Sequence, residues 1–206
     1  MFCVQNDLFK DSVEPELYEN TTVFINLKNE TNSQKLKELE AGFTTVYEYL
    51  LIEDSSLLPP EFNLKKLKSI HHHLFKELYS WAGKTRSYDM SKNGDQFTPA
   101  VDLPKYELEV FSRAEGVLSL INPEKKLLAE KLAKCLGVLN IYHPFPEGNG
   151  RTQRIFISLL AREHEYLLNW DAVQPWENME TSKRVHEGNY EPITNLIFCI
   201  LYQETT

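Results

Sequence analysis

Apolar residues recur at three- and four-residue steps along most of this chain, and that spacing limits its fold more than any other feature of the sequence. One clear stretch covers residues 33–51, where Ser33 is a possible N-cap. A second runs from Asn63, another plausible N-cap, to about Trp81 and stops before Gly83. Both stretches predict amphipathic helices, each with one face turned toward a core.

The same periodicity predicts further helices in the second half of the chain. Pro192 suits the first turn of the last one, because its ring fixes φ near a helical value and its missing N–H would be unpaired there anyway. The predicted ranges are 103–120, 124–142, 151 to about 164, a short piece around 180, and 192–202. We therefore expect an all-α fold built as a helical bundle.

Residues 84–99 interrupt the helical pattern. Arg86, Tyr88 and Met90 alternate with smaller polar residues, and an Asn93-Gly94 pair follows. Asn-Gly between two short extended runs is typical of a tight β-hairpin turn, because both residues tolerate positive φ. The sequence thus predicts one small β-hairpin on the helical bundle.

The length of 206 residues is that of one ordinary domain. No internal repeat or long linker divides the chain. We expect a single domain over residues 1–206, with a core over about 27–202 and with residues 1–26 packed on it or partly flexible.

The composition excludes several classes of protein. Hydrophobic residues make up 42% of the chain and charged residues 25%, so it has the material for a full core. The net charge of −8 argues against direct nucleic-acid binding. No apolar run approaches the length that spans a membrane, and the N-terminus lacks a signal-peptide pattern.

The three cysteines, Cys3, Cys135 and Cys199, are far apart and have no metal-ligand spacing. An odd number at these positions indicates neither a disulfide framework nor a zinc site. We expect Cys135 and Cys199 to be buried thiols, and the whole chain to reside in a reducing cytoplasm.

The chemistry concentrates in residues 140–154, NIYHPFPEGNGRTQR, where one predicted helix ends and the next begins. Gly148, Asn149 and Gly150 let main-chain N–H groups point inward without Cβ obstruction. They precede a helix whose free N–H groups attract anions. The segment therefore predicts a phosphate-binding site, with a helix N-terminus carrying solvated charges as the simpler alternative.

Four charged or titratable side chains surround these glycines. Arg151 and Arg154 are three residues apart on the predicted helix, so both point to about the same side and suit a polyphosphate. Phosphate would repel Glu147 unless a cation lay between them, which predicts Mg²⁺. His143 can remove a hydroxyl proton near neutral pH and is the natural general base.

Three consecutive histidines, His71, His72 and His73, also invite a metal interpretation. Neighbouring residues on a helix point in different directions, so these rings do not suit one shared ion. We assign them core or surface roles.

The run HPFPEGNGRTQR is similar to the signature of the Fic family (filamentation induced by cAMP), HxFx(D/E)GNGRxxR. The stretch LKSIHHHLFKELYSWAGKTRSYDMSKNGDQFTP resembles the family's second helix and flap, and HEGNYEPITNLI resembles the segment that closes its core. The similarity spans roughly residues 27–202. The signature is matched at every specified position: His143, Phe145, Glu147, Gly148, Asn149, Gly150, Arg151 and Arg154.

This resemblance implies a Fic fold and protein adenylylation, the transfer of AMP from ATP to a Ser, Thr or Tyr hydroxyl of a target protein. It makes His143 the general base and Glu147 the ligand of Mg²⁺ on the α- and β-phosphates. Phe145 would pack the loop into the core. The remaining implied roles are an anion cradle for Gly148, Asn149 and Gly150, the β-phosphate for Arg151 and the γ-phosphate for Arg154.

The predicted hairpin resembles the family's flap, which aligns a target segment by main-chain pairing. It consists of Ser91, Lys92, Asn93, Gly94, Asp95, Gln96 and Phe97.

One position of the signature separates branches of the family. Doc-type relatives carry Lys in place of Gly150 and move a phosphate, so Gly150 favours AMP transfer. Pro146 stands where close relatives often have Arg, and its effect is not assigned.

Many Fic proteins are inhibited by a helix bearing (S/T)xxxE(G/N). Residues 12–16 and 44–48 have its first spacing, but Leu17 and Tyr49 follow instead of Gly or Asn. The resemblance then implies a separate antitoxin-like inhibitor, so that this chain is the toxin of a toxin–antitoxin pair. Such toxins can act on bacterial topoisomerases.

Two alternatives remain open at this point. One is a non-catalytic nucleotide-binding regulatory module, against which the intact His143 and Glu147 argue. The other is a Fic enzyme that uses a different nucleotide donor.

Overall fold

Seven α-helices contain most of the residues that the structure describes, which are 11–92 and 94–203, with Pro175 and Asn178 described by their backbone alone. The coordinates are a computed structural model. The prediction of an all-α class is confirmed. The helices are α1 (Ser33–Glu53), α2 (Leu64–Phe75), α3 (Leu103–Leu118), α4 (Lys125–Tyr142), α5 (Asn149–Arg162), α6 (Pro175–His186) and α7 (Glu191–Ile200).

Helix α1 is capped by Asn32, not by Ser33 as the sequence suggests. The Asn32 carboxamide oxygen accepts hydrogen bonds from the N–H groups of Gln34 and Lys35, both at 3.0 Å. The extended backbone of Asn32 brings its side chain over these free donors, whereas Ser33 is already the first residue of the helix.

Helix α2 has the predicted cap, Asn63, whose side chain accepts from the Lys66 N–H at 3.2 Å. The helix ends at Phe75, well before Trp81, because the N–H groups of Leu78 and Tyr79 both donate to the Phe75 carbonyl and begin a series of turns. Leu78, Tyr79 and Trp81 are nevertheless buried. Their apolar spacing therefore extends beyond the helical backbone.

Helices α4 and α5 form the centre of the bundle. Helix α4 packs against α3, α5 and α7, and α5 also contacts α1 and α2. Residues 155–161 of α5 are all buried, as expected for a helix that neighbours surround on every side. The turn that joins α4 to α5 thus lies between two firmly packed helices.

Short strands pair in three places. The predicted hairpin forms between β3 (Ser91–Lys92) and β4 (Asp95–Gln96), which pair antiparallel, while Asn93 lies outside the described residues. At its turn Gly94 has a φ of +92°, a conformation that glycine adopts without strain. The other pairs are β1 (Ser12–Val13) parallel to β2 (Thr85–Arg86) and β5 (Tyr166–Leu168) antiparallel to β6 (Leu201–Gln203).

The structure differs from the sequence-based expectations at Cys199 and at the end of the last helix. Cys135 is buried as predicted, but Cys199 is exposed on α7, so the expectation that both thiols are buried was wrong for Cys199. Helix α7 stops at Ile200, where the chain turns extended to form β6. Across residues 11–92 and 94–203, the helices are too short or too polar to cross a membrane.

We expect Asn32→Ala to lower the free energy of unfolding by about 1 kcal/mol, because two N–H groups of the first turn lose their acceptor. Ser33→Ala, the matched control one residue further on, should change it by less than about 0.5 kcal/mol. Urea unfolding followed by circular dichroism measures both variants. A larger loss for Ser33→Ala would contradict the assignment of the cap.

Candidate active site

The turn between α4 and α5 reverses the chain with two left-handed residues. His143, the C-cap of α4, has φ 44° and ψ 60°. A left-handed conformation is uncommon for a residue other than glycine, and here Pro144 follows and disfavours the right-handed helical alternative. Gly148, the N-cap of α5, has φ 78°. The main chain therefore leaves one helix and enters the next at two fixed bends.

Asn149 and Phe145 hold this turn in shape. The Asn149 side-chain oxygen accepts from the Phe145 N–H at 2.9 Å, and its amide nitrogen donates to the Phe145 carbonyl at 2.7 Å. Phe145 is buried, and its ring stacks on His71 with centroids 4.0 Å apart. Both polar atoms of the Asn149 side chain are thus bonded within the turn, and we expect a bound anion to meet the main-chain N–H of Asn149.

His71 lies beneath the turn as a neutral imidazole. Its Nδ1 accepts from the Gly83 N–H at 2.8 Å, which leaves the Nε2 hydrogen to donate to the Glu147 carbonyl at 3.0 Å. Burial lowers the pKa of His71 to about 3, because a charged ring would lose its hydration. His71 therefore lies in the core, one of the two placements expected from the sequence. Its hydrogen bond to the Glu147 carbonyl also holds the main chain of the turn.

His143 presents a neutral imidazole to the adjoining groove. Its Nδ1 lies 3.1 Å from the Asn140 carbonyl, so Nδ1 carries the hydrogen and Nε2 the lone pair. The ring stacks on Phe97 of the hairpin, with centroids 3.7 Å and planes 8° apart. Burial lowers the pKa of His143 to about 3, and the charge of Arg86 adds to this effect. The imidazole is therefore neutral at neutral pH, with a free lone pair on Nε2, as a general base requires.

The groove beside His143 encloses about 600 Å³. Its walls are the hairpin, the α4–α5 turn and α6. The sequence did not predict the α6 wall, which includes Met179, Lys183 and His186, because no local pattern marks it. The sequence-predicted site residues that the groove brings together are Ser91, Lys92, Asp95, Phe97, His143, Glu147, Gly148, Asn149 and Gly150.

The glycines of the turn have different surroundings. A Cβ on Gly148 would lie 2.3 Å from two ring carbons of Phe75, so no side chain fits there. A Cβ on Gly150 would meet nothing within 4 Å. Gly150 therefore borders open space at the start of α5, where the free N–H groups of the helix lie.

Glu147 is half exposed at the rim of the groove. Its Oε1 accepts the Gly148 N–H at 2.9 Å and lies 3.5 Å from Nη2 of Arg151. The N-terminus of α5 thus already attracts a carboxylate, which is the behaviour expected of an anion-binding turn. A hard oxygen ligand in this position suits Mg²⁺, which commonly uses one or two carboxylates together with phosphate oxygens.

Arg151 is held by a residue that the sequence analysis missed. Its Nη2 donates to Glu40 of α1 at 2.7 Å, and its guanidinium lies 4.8 Å from the centre of the Phe75 ring. Glu40 is almost fully buried and also accepts from the Tyr79 hydroxyl at 2.5 Å. Burial and this hydrogen bond raise the pKa of Tyr79. The ion pair ties the start of α5 to α1.

Arg154 lies close to α1 as well. Burial lowers its pKa, while the charge of Glu48 opposes the shift. Burial in turn raises the pKa of Glu48, which Arg154 opposes. Neither Arg151 nor Arg154 is among the described residues that line the groove. Of the hairpin, Gly94 and Gln96 are exposed and also do not line it.

We expect nuclear magnetic resonance of labelled histidine side chains to show His71 and His143 neutral down to about pH 5, since burial depresses both pKa values. Phe97→Ala should raise the pKa of His143 toward its usual value near 6.5 by opening one face of the ring. His71, which Phe97 does not cover, serves as the internal control. A His143 resonance that titrates near pH 6.5 in the unmodified chain would contradict this description.

Comparisons with known proteins identify relatives of this chain. The sequence model of the Fic/DOC family matches residues 61–161. Protein adenylyltransferase VbhT of Bartonella schoenbuchensis is 31% identical over 92% of this chain, which spans 39% of that protein's length. Probable protein adenylyltransferase Fic of Escherichia coli K12 is 28% identical, with 82% of each chain covered.

The fold has close structural counterparts. The crystal structure of BepC, a translocated effector protein of Bartonella tribocorum with bound AMPPNP, has a TM-score of 0.85 and 21% identity to this chain. The match covers 92% of this chain and 97% of that one. Because the signature residues, the helical fold and these relatives all agree, this chain belongs to the Fic/DOC family.

Proposed function

We propose that this chain is a protein adenylyltransferase, which transfers AMP from ATP to a Ser, Thr or Tyr hydroxyl of a target protein. The observation that carries the proposal is the meeting of a neutral imidazole, His143, with the anion-attracting N-terminus of α5 in one groove. Relatives named protein adenylyltransferase, 28–31% identical over most of the chain, support the same activity.

His143 supplies the base. The Asn140 carbonyl fixes the hydrogen on Nδ1, so Nε2 is free to take the proton of the target hydroxyl. That oxygen attacks the α-phosphorus of ATP and forms the new O–P bond. The bond from the α-phosphorus to the oxygen bridging to the β-phosphate breaks, and diphosphate leaves. Positioning of the phosphates contributes most of the acceleration in such a transfer.

The phosphates bind at the N-terminus of α5. The main-chain N–H groups of Gly148, Asn149 and Gly150 supply donors there, and a bound phosphate would replace the Glu147 carboxylate as the acceptor of the Gly148 N–H. Glu147 would hold Mg²⁺, which when bound neutralises charge on the α- and β-phosphates. In residues 11–92 and 94–203 no cluster of three or more His, Cys, Asp or Glu is placed to hold a metal by itself. Phosphate oxygens would complete the coordination, because Mg²⁺ is commonly bound by one or two carboxylates together with substrate phosphates.

Arg151 and Arg154 bind the β- and γ-phosphates in this proposal. Arg151 uses one donor on Glu40, and its guanidinium has further N–H groups for phosphate. Arg154 lies beside Glu48, so phosphate binding draws it away from that carboxylate. The exposed edge of β3 and β4 pairs with the main chain of the target and delivers the hydroxyl to His143.

We further propose that the chain acts in the cytoplasm as the toxin of a toxin–antitoxin pair. The support is the incomplete inhibitory motif at residues 44–48, since Tyr49 stands where Gly or Asn is expected. A separate small antitoxin-like protein would then restrain it, and a bacterial topoisomerase is the proposed target.

Intact-protein mass spectrometry after incubation with ATP and Mg²⁺ tests the reaction, since Fic-type chains can modify themselves. We expect the unmodified chain to gain one AMP, whereas His143→Ala loses the base and gains none. Glu147→Ala should lower the rate about a hundredfold. His73→Ala, a histidine on α2 that does not line the groove, is the matched control and should behave as the unmodified chain.

Two other outcomes of this experiment would not support AMP transfer. A gain of phosphate would contradict AMP transfer and favour a kinase-like orientation of the nucleotide. No gain in any variant, with ATP binding still visible by calorimetry, would leave either strict dependence on the target protein or the nucleotide-binding module.

Two glycine variants test the anion cradle separately from folding. Gly150→Ala should weaken ATP binding about tenfold or more with little change in Tm, because its Cβ enters open space beside the helix N-terminus. Gly148→Ala should lower Tm by roughly 5–10 °C, because its Cβ meets the Phe75 ring and its φ is positive. Calorimetry and thermal unfolding measure the two effects. Full ATP affinity in Gly150→Ala would contradict the cradle.

A further inference from the structure

Arg86 is a fully buried cation whose partners are main-chain carbonyls. Its side chain is 0% exposed, which is rare for a charged residue. Nε donates to the His143 carbonyl at 2.8 Å and Nη1 to the Tyr88 carbonyl at 2.7 Å. Nη2 donates to the Thr98 carbonyl and lies 3.5 Å from the Tyr142 carbonyl. One planar group thus joins segments that are far apart in sequence.

The four carbonyls belong to two functional parts of the molecule. Tyr142 and His143 end α4, where unpaired carbonyls and the negative end of the helix dipole favour a cation. Tyr88 precedes β3, and Thr98 follows β4. The Arg86 side chain therefore connects both arms of the hairpin to the residue that carries the base.

The backbone around Arg86 strengthens this connection. Its own N–H donates to the Pro144 carbonyl at 2.8 Å. Thr98 donates both its N–H and its hydroxyl to the Ile141 carbonyl, at 2.9 and 3.2 Å. Phe97, next to Thr98, stacks on the His143 ring. The hairpin consequently has one defined position over the imidazole.

Arginine is suited to this task in a way that lysine is not. Its guanidinium presents five N–H donors in a rigid plane, so it reaches both hairpin arms and the end of α4 together. A lysine ammonium carries three donors on one atom and cannot span the same carbonyls.

We propose that Arg86 is a positioning residue, which sets the distance between the target-holding hairpin and His143 and so governs AMP transfer without contacting nucleotide or target. This inference rests on the proposed function. Arg86 is not among the described residues that line the groove, so its effect passes through the main chain of the hairpin and of His143.

Arg86→Lys in the full chain tests the proposal with three measurements. We expect the rate of AMP gain, followed by intact-protein mass spectrometry with ATP and Mg²⁺, to fall about tenfold or more. The Kd for ATP from calorimetry should change by less than about threefold, because the N-terminus of α5 is untouched. Hydrogen exchange of the Phe97 and Thr98 amides should accelerate about tenfold.

Val117→Ala is the matched control for general loss of stability, because Val117 is fully buried in α3. It should leave hairpin exchange, ATP affinity and AMP transfer near those of the unmodified chain. Equal losses of transfer and ATP affinity in Arg86→Lys would overturn the proposal, as would unchanged exchange at Phe97 and Thr98.

A second variant covers the case in which Arg86→Lys does not fold. Thr98→Val removes the hydroxyl bond to Ile141 and keeps the main-chain bonds, so it should shift the same measurements in the same directions by smaller factors. If the unmodified chain transfers no AMP, the proposed function fails. The exchange measurement then still decides whether Arg86 holds the hairpin.

Discussion

The reversal of the main chain between α4 and α5 is the constraint on which the rest of the site depends. Two packed helices fix its ends, and left-handed backbone at His143 and Gly148 makes the bends. Such a turn leaves several polar main-chain groups inside the protein, and each needs a partner. Asn149 supplies two bonds to Phe145 from within the turn. The Glu147 carboxylate accepts the Gly148 N–H, also within the turn, and further partners come from outside it.

The outside partners are buried side chains whose polar atoms meet the main chain. Arg86 binds the carbonyls on the α4 side, and His71 binds the Glu147 carbonyl on the α5 side. His71 belongs to α2 and Arg86 to the segment between α2 and α3, so both side chains come from one stretch of chain. The α4–α5 turn is thus held from two sides by that stretch, which also carries the hairpin that would hold the target.

Helix α1 contributes charge to the site without lining the groove. Glu40 gives up its hydration to pair with Arg151 and Tyr79, and a buried carboxylate is tolerated only with partners of this kind. Its pairing with the first arginine of the signature keeps a cation near the helix end where phosphate is expected. Such a buried ion pair fixes the position of α5 relative to α1 more than it adds to the stability of the fold.

Sequence patterns predict this structure best where the determining interactions are local. Helical periodicity located α1 and α4, and Asn-Gly located the hairpin. His143 and residues 146–150 are close together in the chain and meet in the groove. The end of α2 was predicted too late, because the apolar spacing continues after the main chain has left the helix at Phe75. The sequence patterns also missed β5 and β6, which are too short to show an alternating pattern.

Local sequence patterns do not predict contacts between residues that are far apart in the chain. Glu40 meets Arg151 across more than half the chain, and nothing in α1 distinguishes that glutamate from its neighbours. The α6 wall of the groove is likewise a product of packing. His71 and Arg86 stand within the family-like segment, but their bonds to the α4–α5 turn appear only in three dimensions.

The two neutral histidines also make the site sensitive to acid. In the unfolded chain each imidazole binds a proton near pH 6.5, whereas the folded chain excludes it until about pH 3. Between these values the unfolded state holds more protons, so stability is fully present above about pH 6.5 and declines as the pH falls through that window. The rings lie in and beneath the α4–α5 turn. Protonation therefore opposes folding at the place where the proposed base must stay uncharged.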